Sequence, residues 1–238
     1  KDDQSPLTEA DLSSHNLIVN KLGELTPNIP ILSEEASEIS FKERSKWDLY
    51  WLIDPLDGTK EFVKKNGEFT VNIALIENNI PIFGVIYVPV TKEKYWGSNK
   101  FGSFYASRNR NVEKLNVSKK SDKKLRIVTS RSHINDDLES LLNQIEDYEL
   151  VSKGSSLKFC LIASGDADIY PRFGLTSEWD TAAGEAIVKF AGGHIVTIDN
   201  SVMKYNSKIS LLNPYFIVAS NKEVCESFLH FIKKKISN

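Results

Sequence analysis

Cysteine, long apolar runs and excess charge are all scarce in this sequence, and each scarcity excludes a class of protein. Two cysteines among 238 residues do not make a disulfide framework. Their positions within apolar patterns, at Cys160 and Cys225, predict buried, reduced thiols in a cytoplasmic protein. A net charge of −2 gives no general reason to bind a nucleic acid polymer. The longest apolar run, from Pro81 to Val90, is far shorter than the ~20 residues of a transmembrane segment.

Two further groups of residues have ordinary explanations. The histidines match no metal-ligand spacing, so we interpret all four as structural: His15, His133, His194 and His230. The lysines from Lys233 to Lys235 fall in the last turn of a predicted helix, where cations are favoured by the helix dipole. A solvated helix end is favoured there, and the alternative is a peripheral position at the inner face of the cell membrane. The oligomeric state does not follow from these patterns.

The element pattern changes character in a segment rich in asparagine, lysine and serine between Arg108 and Lys124. Before it, a helix capped by Thr8 and ended by Pro27 precedes several strands and a hairpin signal at Glu77-Asn78-Asn79. After it, strands alternate with helices. We therefore predict an N-terminal α+β half over residues 1–115 and a C-terminal α/β half over residues 116–238. The predicted strands cover residues 29–32, 49–53, 68–76, 81–90, 95–97, 101–105, 125–129, 148–152, 167–170, 194–198 and 215–219; later helices cover 136–145, 154–163, 181–190 and 222–236, and a polar loop covers 37–46.

The chain is organised around a turn that follows an aromatic and apolar strand, Leu49 to Ile53. Asp54 and Asp57 lie three positions apart on this turn. We expect Pro55 to stop the strand, because it fixes φ and lacks an N–H donor. Two carboxylates held at the end of a buried strand are costly unless a cation lies between them, and both can supply oxygen ligands to Mg²⁺. The alternative interpretation is an ordinary turn of aspartate, proline and glycine.

Further blocks along the chain favour the metal site over the ordinary turn. With the central Asp54-Pro55-Leu56-Asp57-Gly58-Thr59-Lys60-Glu61-Phe62, they are Ser5-Pro6-Leu7-Thr8 with Ala10-Asp11, Leu32-Ser33-Glu34-Glu35, Asn66-Gly67-Glu68-Phe69-Thr70-Val71-Asn72-Ile73-Ala74-Leu75, Gly154-Ser155-Ser156-Leu157-Lys158-Phe159-Cys160, Tyr170-Pro171-Arg172-Phe173-Gly174 and Trp179-Asp180-Thr181-Ala182-Ala183-Gly184. In these blocks and their order the sequence resembles the inositol monophosphatase superfamily of Mg²⁺-dependent, Li⁺-sensitive phosphatases. The resemblance is closest to its bacterial 3'(2'),5'-bisphosphate nucleotidase branch.

The resemblance implies a layered αβαβα sandwich, and the family's first helical segment is missing from this numbering. It also implies two or three Mg²⁺ ions. Glu34, Asp54 and the Leu56 carbonyl would hold one of them, and Asp54, Asp57 and Asp180 another. Two such ions can clamp the attacking and leaving oxygens of an in-line displacement. By similarity to the family, Asp11 and Thr59 orient and deprotonate the attacking water, and Glu34 is counted with them as a catalytic group.

The same resemblance implies which residues bind the substrate. Backbone N–H groups of Gly58 and Thr59 would hold the phosphate that is cleaved. A second phosphate would be held by Lys60, Lys158 or Arg172, for which the alternative is a solvated charge. The full predicted substrate set is Glu34, Leu56, Asp57, Gly58, Thr59, Lys60, Ser155, Ser156, Lys158, Arg172 and Asp180. Tyr170 or Phe173 either contacts an adenine ring or packs in the core.

These expectations define a function. The partner is a small-molecule nucleotide bisphosphate, and the reaction is hydrolysis of 3'-phosphoadenosine 5'-phosphate to AMP and phosphate, extended to its 5'-phosphosulfate form. Two alternatives stay open. One is a phosphatase of the same superfamily acting on inositol phosphate or a sugar phosphate. The other is a catalytically silent metal-binding scaffold.

Overall fold

A computed structural model of the chain describes residues 8–108, 111–119, 124–130, 136–145 and 147–236, without the side chains of 136, 137 and 233–236. Ser5, Pro6, Leu7, His133 and the lysine side chains from Lys233 to Lys235 therefore lie outside the described residues. Within those ranges, no helix combines the length and apolar character that crossing a bilayer requires.

The first sheet has seven strands that follow one another in chain order. They are β1 (Ile31–Ser33), β2 (Leu49–Asp57), β3 (Thr70–Glu77), β4 (Ile80–Val88), β5 (Glu93–Ser98), β6 (Gly102–Ala106) and β7 (Glu113–Lys114). Only β1 and β2 pair in parallel, and the remaining neighbours are antiparallel. The predicted hairpin is confirmed. Asn78 and Asn79 form its turn with φ of 49° and 67°, as a two-residue hairpin turn requires.

The second sheet is mixed and lies entirely C-terminal to the first. It consists of β8 (Leu125–Ser130), β9 (Tyr148–Lys153), β10 (Ile169–Arg172), β11 (His194–Thr197) and β12 (Phe216–Ala219), in the order β11-β12-β10-β8-β9. Apart from β2, which is longer, and β7, which was not predicted, each strand ends within two residues of its predicted bounds. The division of the chain at residues 115 and 116 stays a prediction.

Seven α-helices and one 3₁₀ turn (Glu34–Ala36) are present in the described part of the chain. The helices are α1 (Glu9–Leu25), α2 (Phe41–Arg44), α3 (Thr59–Val63), α4 (Asp136–Leu142), α5 (Leu157–Ala163), α6 (Glu178–Phe190) and α7 (Lys222–Ile236). The predicted start of α1 is confirmed, because the Asp11 backbone N–H donates to Thr8 and Asp11 in turn accepts from the Thr8 backbone N–H at 2.9 Å. This reciprocal pair is a capping box.

The side chains of successive residues in the second sheet pack in different core clusters, which shows how the layers are stacked. Ile127 and Ile169 pack in one core cluster with α4 and α7, whereas their neighbours Val128 and Tyr170 pack in the other with α5 and α6. Side chains on successive strand residues point to opposite faces, so helices cover both sides of this sheet. Since α6 also packs on the first sheet and α1 contacts β2, the order of layers is the predicted αβαβα sandwich.

A close approach of backbones fixes α6 on the first sheet. A Cβ on Gly84 of β4 would lie 2.4 Å from the carbonyl oxygen of Ala183, so no side chain fits there. One turn further along α6, the buried Ser103 hydroxyl donates to the carbonyl of Ile187 at 2.7 Å. These contacts hold the first turn of α6, which carries Asp180, beside the end of β2.

Two sequence expectations for this region are wrong. Pro55 does not end β2, because the strand pairs with β3 again at Asp57. Pro55 lies in the short interruption between Asp54 and Asp57, where β2 does not need a backbone N–H to pair with β3. The polar loop predicted over residues 37–46 contains helix α2, begun by the Ser40 side chain, and it buries Arg44.

Candidate active site

Three carboxylates meet where the end of β2 lies beside the first turn of α6. The side-chain oxygens of Asp54, Asp57 and Asp180 lie within 4.8 Å of one another. In a regular strand, two aspartates three positions apart would point to opposite faces. Here Asp54 pairs with Asn72 and Asp57 pairs with Thr70, so β2 contains one residue more than β3 between these two pairs. The resulting β-bulge turns both aspartates to the same face.

The turn before α5 holds Asp57 in place. Its Oδ2 accepts hydrogen bonds from the hydroxyls of Ser155 and Ser156 and from the Ser156 backbone N–H, each at 2.6 Å. Ser155 adopts φ of +52°, which brings both serines to the same carboxylate. The two serines predicted to bind substrate therefore contact a predicted metal ligand, and their contact with substrate stays a prediction.

A residue that the sequence reasoning missed secures this turn. Glu68 Oε2 accepts from the backbone N–H of Gly154 at 2.8 Å, and Glu68 Oε1 lies 3.4 Å from Lys153 Nζ. A Cβ on Gly154 would lie 3.1 Å from Cβ of Glu68, so the two segments are in close contact. The matching block from Asn66 to Leu75 contained the signal, but it gave no reason to single out its glutamate.

Asp180 belongs to the first turn of α6. Its Oδ2 accepts from the Ser177 backbone N–H at 2.8 Å in a second capping box. Burial, followed by the charge of Asp57, raises the pKa of this carboxyl well above its ordinary value. A carboxyl in this position favours a nearby positive charge that would keep it ionised.

Of the remaining predicted ligands, Glu34 follows β1, the parallel neighbour of β2, and Leu56 belongs to β2 itself. Because Ser33 of β1 is aligned with Ile53, Glu34 enters the site one residue later, beside Asp54. Asp54 is buried, and its Oδ1 accepts from the Leu56 N–H at 3.0 Å, which fixes the turn. Glu34, Asp54 and Leu56 all line the same cavity. A donor set of carboxylates with a backbone carbonyl fits a hard divalent cation such as Mg²⁺.

Asp11 and Thr59 are both buried, and their relay stays a prediction. Thr59 is the first residue of α3, after Gly58 with φ of +87°, a conformation that favours glycine. Asp11 accepts from the backbone and hydroxyl of Thr8. The same helix reaches the site through the Ser14 hydroxyl, which donates to the Pro55 carbonyl at 2.8 Å.

The three predicted cations occupy different environments. Lys158 is buried and donates to the Ser155 carbonyl at 2.6 Å, so the solvated alternative does not hold for it. Burial lowers the pKa of Lys158 to about 8. Arg172 donates through Nη2 to the Leu175 carbonyl at 2.8 Å, and its buried Nε has no hydrogen-bond partner among the described residues. Lys60 is exposed at the cavity rim.

One cavity of about 930 Å³ contains the acidic cluster and these cations. Its wall becomes apolar away from the carboxylates, at Ile39, Leu175 and Leu212. Tyr170 lines it while its ring packs against Phe159. Phe173 instead packs edge-on against Tyr215, which favours the core interpretation for Phe173.

The fold and the acidic cavity are those of a family of phosphatases. The model of the inositol monophosphatase family matches residues 1–236, and the chain belongs to this family. It is 47% identical over 218 residues to the 3'(2'),5'-bisphosphate nucleotidase CysQ of Salmonella typhimurium, with 92% of this chain and 87% of the relative covered. The CysQ of Buchnera aphidicola is 46% identical over 229 residues, with 92% and 82% covered.

Solved structures show the same fold. The crystal structure of CysQ from Bacteroides thetaiotaomicron superposes with a TM-score of 0.82 and 44% identity, covering 92% of this chain and 87% of that one. An inositol monophosphatase from Thermotoga maritima gives a TM-score of 0.78 at 24% identity, covering 97% and 84%. At that identity the second likeness concerns the fold alone.

Proposed function

We propose that this chain is a Mg²⁺-dependent 3'(2'),5'-bisphosphate nucleotidase. It removes the 3'-phosphate of 3'-phosphoadenosine 5'-phosphate to give AMP and phosphate, and it acts in the same way on the 5'-phosphosulfate form. The observation that carries the proposal is the single cavity in which Asp54, Asp57 and Asp180 face Lys158 and Arg172. Relatives named 3'(2'),5'-bisphosphate nucleotidase CysQ that are 44% and 47% identical over 92% of the chain support the same choice.

The charges of the cavity match a substrate with two phosphate groups. The acidic cluster serves the phosphate that is cleaved, with Glu34, Asp54, the Leu56 carbonyl, Asp57 and Asp180 holding two or three Mg²⁺ ions. The bound ions supply charge neutralisation and make a water molecule more acidic. A second phosphate lies beyond this cluster, where Lys158 and Arg172 provide positive charge. Free, buried cysteines support a reducing, cytoplasmic setting as part of the proposal.

The chain's own residues orient the reaction. The Thr59 hydroxyl accepts a hydrogen bond from the attacking water while it donates to a carboxylate, for which Asp11 is the partner. Backbone N–H groups of Gly58 and Thr59 donate to the phosphate oxygens. The water oxygen bonds to phosphorus and loses a proton through Thr59 to Asp11, the bond from phosphorus to the 3'-oxygen breaks, and the leaving oxygen takes up a proton from solvent water to become the 3'-hydroxyl.

A substrate panel tests the proposal. Phosphate release is measured in Mg²⁺ with 3'-phosphoadenosine 5'-phosphate, 3'-AMP, inositol 1-phosphate and fructose 1,6-bisphosphate. We expect the highest kcat/KM for the adenosine bisphosphate. A preference for inositol 1-phosphate or fructose bisphosphate would assign another activity of the family, and no turnover on any substrate would indicate a silent scaffold.

Charge removal at the second phosphate refines the test. Lys158→Met and Arg172→Met keep most of the side-chain volume, and Lys46→Met on the exposed surface is the matched control. A charge-assisted hydrogen bond contributes about 1.5–3 kcal/mol, so kcat/KM for the bisphosphate should fall about 10- to 150-fold in at least one variant. The value for 3'-AMP should change little. Equal losses on both substrates would make these residues structural.

A further inference from the structure

A buried arginine of helix α2, Arg44, joins this helix to the segment 206–209. Arg44 Nη1 donates to Asn206 Oδ1 at 2.5 Å, and Nη2 donates to the carbonyls of Lys208 and Ile209 at 3.2 and 2.5 Å. Asn206 returns a hydrogen bond through Nδ2 to the Arg44 carbonyl at 2.5 Å. The two segments lie more than 160 residues apart in the chain, so this reciprocal set, which we name the Arg44 clasp, is a purely tertiary feature.

The clasp continues into the helix that carries Asp180. The Asn206 backbone N–H donates to Glu178 Oε2 at 2.7 Å, and the Glu178 N–H donates to the Leu211 carbonyl at 2.8 Å. Asn213 completes the contact, since its Nδ2 donates to the Ser177 carbonyl at 2.7 Å. The segment 206–213 therefore forms hydrogen bonds with Ser177 and Glu178, which lie just before Asp180 in the chain.

On its other side, the Arg44 clasp is connected to Glu34 through the chain that precedes α2. The 3₁₀ turn that carries Glu34 is followed by the cavity-lining residues 37–39, and α2 begins only two residues later. Glu34 and Asp180 both line the cavity, and Arg44 joins the helix that follows Glu34 to the segment that contacts Glu178. The separation of these two carboxylates is thus coupled to the geometry of one guanidinium group.

We propose that Arg44 is a positioning residue for the cation site, because it sets how far Glu34 lies from Asp180. The inference rests on the proposed function only through the assignment of these two residues as metal ligands. A planar guanidinium can donate to three acceptors in fixed directions, whereas a lysine ammonium cannot match that fork. Loss of the group leaves the Asn206 amide oxygen and two carbonyls without their donor in the interior.

The test measures cation binding directly. Mn²⁺ stands in for Mg²⁺, and its dissociation constant is measured by titration calorimetry and by electron paramagnetic resonance on the purified full chain. The variants are Arg44→Met and Arg44→Lys, with Lys42→Met, which removes an exposed charge from the same helix, as the control. Loss of a group that orients metal ligands weakens binding about 10- to 100-fold. We expect that range for Arg44→Met, a smaller change for Arg44→Lys and none for Lys42→Met.

A second variant removes the clasp from its other side. Asn206 has φ of +53°, so Asn206→Gly deletes both side-chain contacts in a backbone conformation that glycine adopts readily. It should weaken Mn²⁺ binding in parallel with Arg44→Met. In activity assays, both variants should raise the Mg²⁺ concentration for half-maximal rate while the KM for the bisphosphate at saturating Mg²⁺ changes little.

The outcomes separate this inference from the proposed function. If the native chain binds Mn²⁺ but hydrolyses no bisphosphate, the proposed function fails, and the Arg44 inference is still decided by Mn²⁺ affinity. Folded variants with native Mn²⁺ affinity would overturn the inference. So would variants that fail to fold at the assay temperature, because Arg44 would then serve the fold alone.

Discussion

At the scale of single residues, the hydrogen bonds to Asp57 show how this chain prepares a carboxylate for a cation. Three donors from Ser155 and Ser156 converge on Oδ2, which leaves Oδ1 outside that set. Hydrogen bonds to ionised groups are short and strong, so they fix the plane of the carboxylate before any cation arrives. Thr70 and Asn72 then hold the two serines, through contacts of 2.6 and 2.8 Å.

Asp54 is the residue whose charge matters most, because it belongs to both predicted metal sites. Asp54→Asn keeps the size of the side chain and an oxygen that can accept from the Leu56 N–H, so the turn should survive. It removes a formal charge from the cation site. Activity should fall at least about 100-fold, the upper end of losses seen for groups that merely orient a ligand. Phosphate release at saturating Mg²⁺ checks this expectation.

Asp48→Asn, an exposed change one residue before β2, is the matched control. Thermal melts without metal should show Asp54→Asn to be at least as stable as the native chain, because a neutral amide relieves repulsion among the three acids. Near-native turnover of a folded Asp54→Asn protein would remove Asp54 from the metal site.

At the scale of elements, the strands other than the two-residue β7 were predictable, whereas the shortest helices, α2 and α3, were not. Alternating apolar residues and the two asparagines identified β3, β4 and their turn, because those signals are local. The bulge in β2 is not local, since it depends on the register with Thr70 and Asn72. Helix α2 has four residues and no apolar period, so its burial became visible only through the partners of Arg44.

Helix α6 also carries a buried acid that should make stability depend on pH. Burial raises the pKa of Glu185 from an ordinary 4.5 to about 7, although the Tyr205 hydroxyl donates to it at 2.6 Å. Between these two values the folded chain keeps a proton that the unfolded chain has released. The free energy of unfolding therefore falls as pH rises from 4.5 to 7, by about 3 kcal/mol at most for this group.

Glu185→Gln removes that titration and keeps an acceptor for Tyr205. Urea unfolding at pH 5 and pH 8 should show a smaller difference for the variant than for the native chain, and the variant should be the more stable of the two at pH 8. Glu178, whose pKa burial also raises to about 7, remains in both proteins, so the dependence should decrease without vanishing. If the free energy of unfolding changed by the same amount between pH 5 and pH 8 in both proteins, the charge of Glu185 would lie in solvent.

At the scale of the whole molecule, the candidate ligands come from three segments that only the complete fold brings together. Glu34 follows β1, Asp54 and Asp57 lie within the last four residues of β2, and Asp180 lies in the first turn of α6. The motif blocks predicted that these residues converge. They did not predict what holds the segments together, because Arg44 and Glu68 act through partners that no local pattern reveals. Sequence reasoning therefore identified the acidic residues of the site, but not the residues that hold their segments in place.

This dispersal of ligands implies that metal binding and folding are coupled. The unfolded chain keeps the three segments apart, so Mg²⁺ binds the folded chain selectively and stabilises it by mass action. At about 100 times the dissociation constant the gain is about 2.7 kcal/mol, which corresponds to a rise in Tm of about 5–10 °C for a chain of this size. Thermal melts across a series of Mg²⁺ concentrations at constant ionic strength measure this rise, with Na⁺ as the control. Asp54→Asn should lose most of it, because its site lacks one charge. If the variant gains as much as the native chain, the stabilisation comes from cations at the surface, and the three acids do not form the binding site.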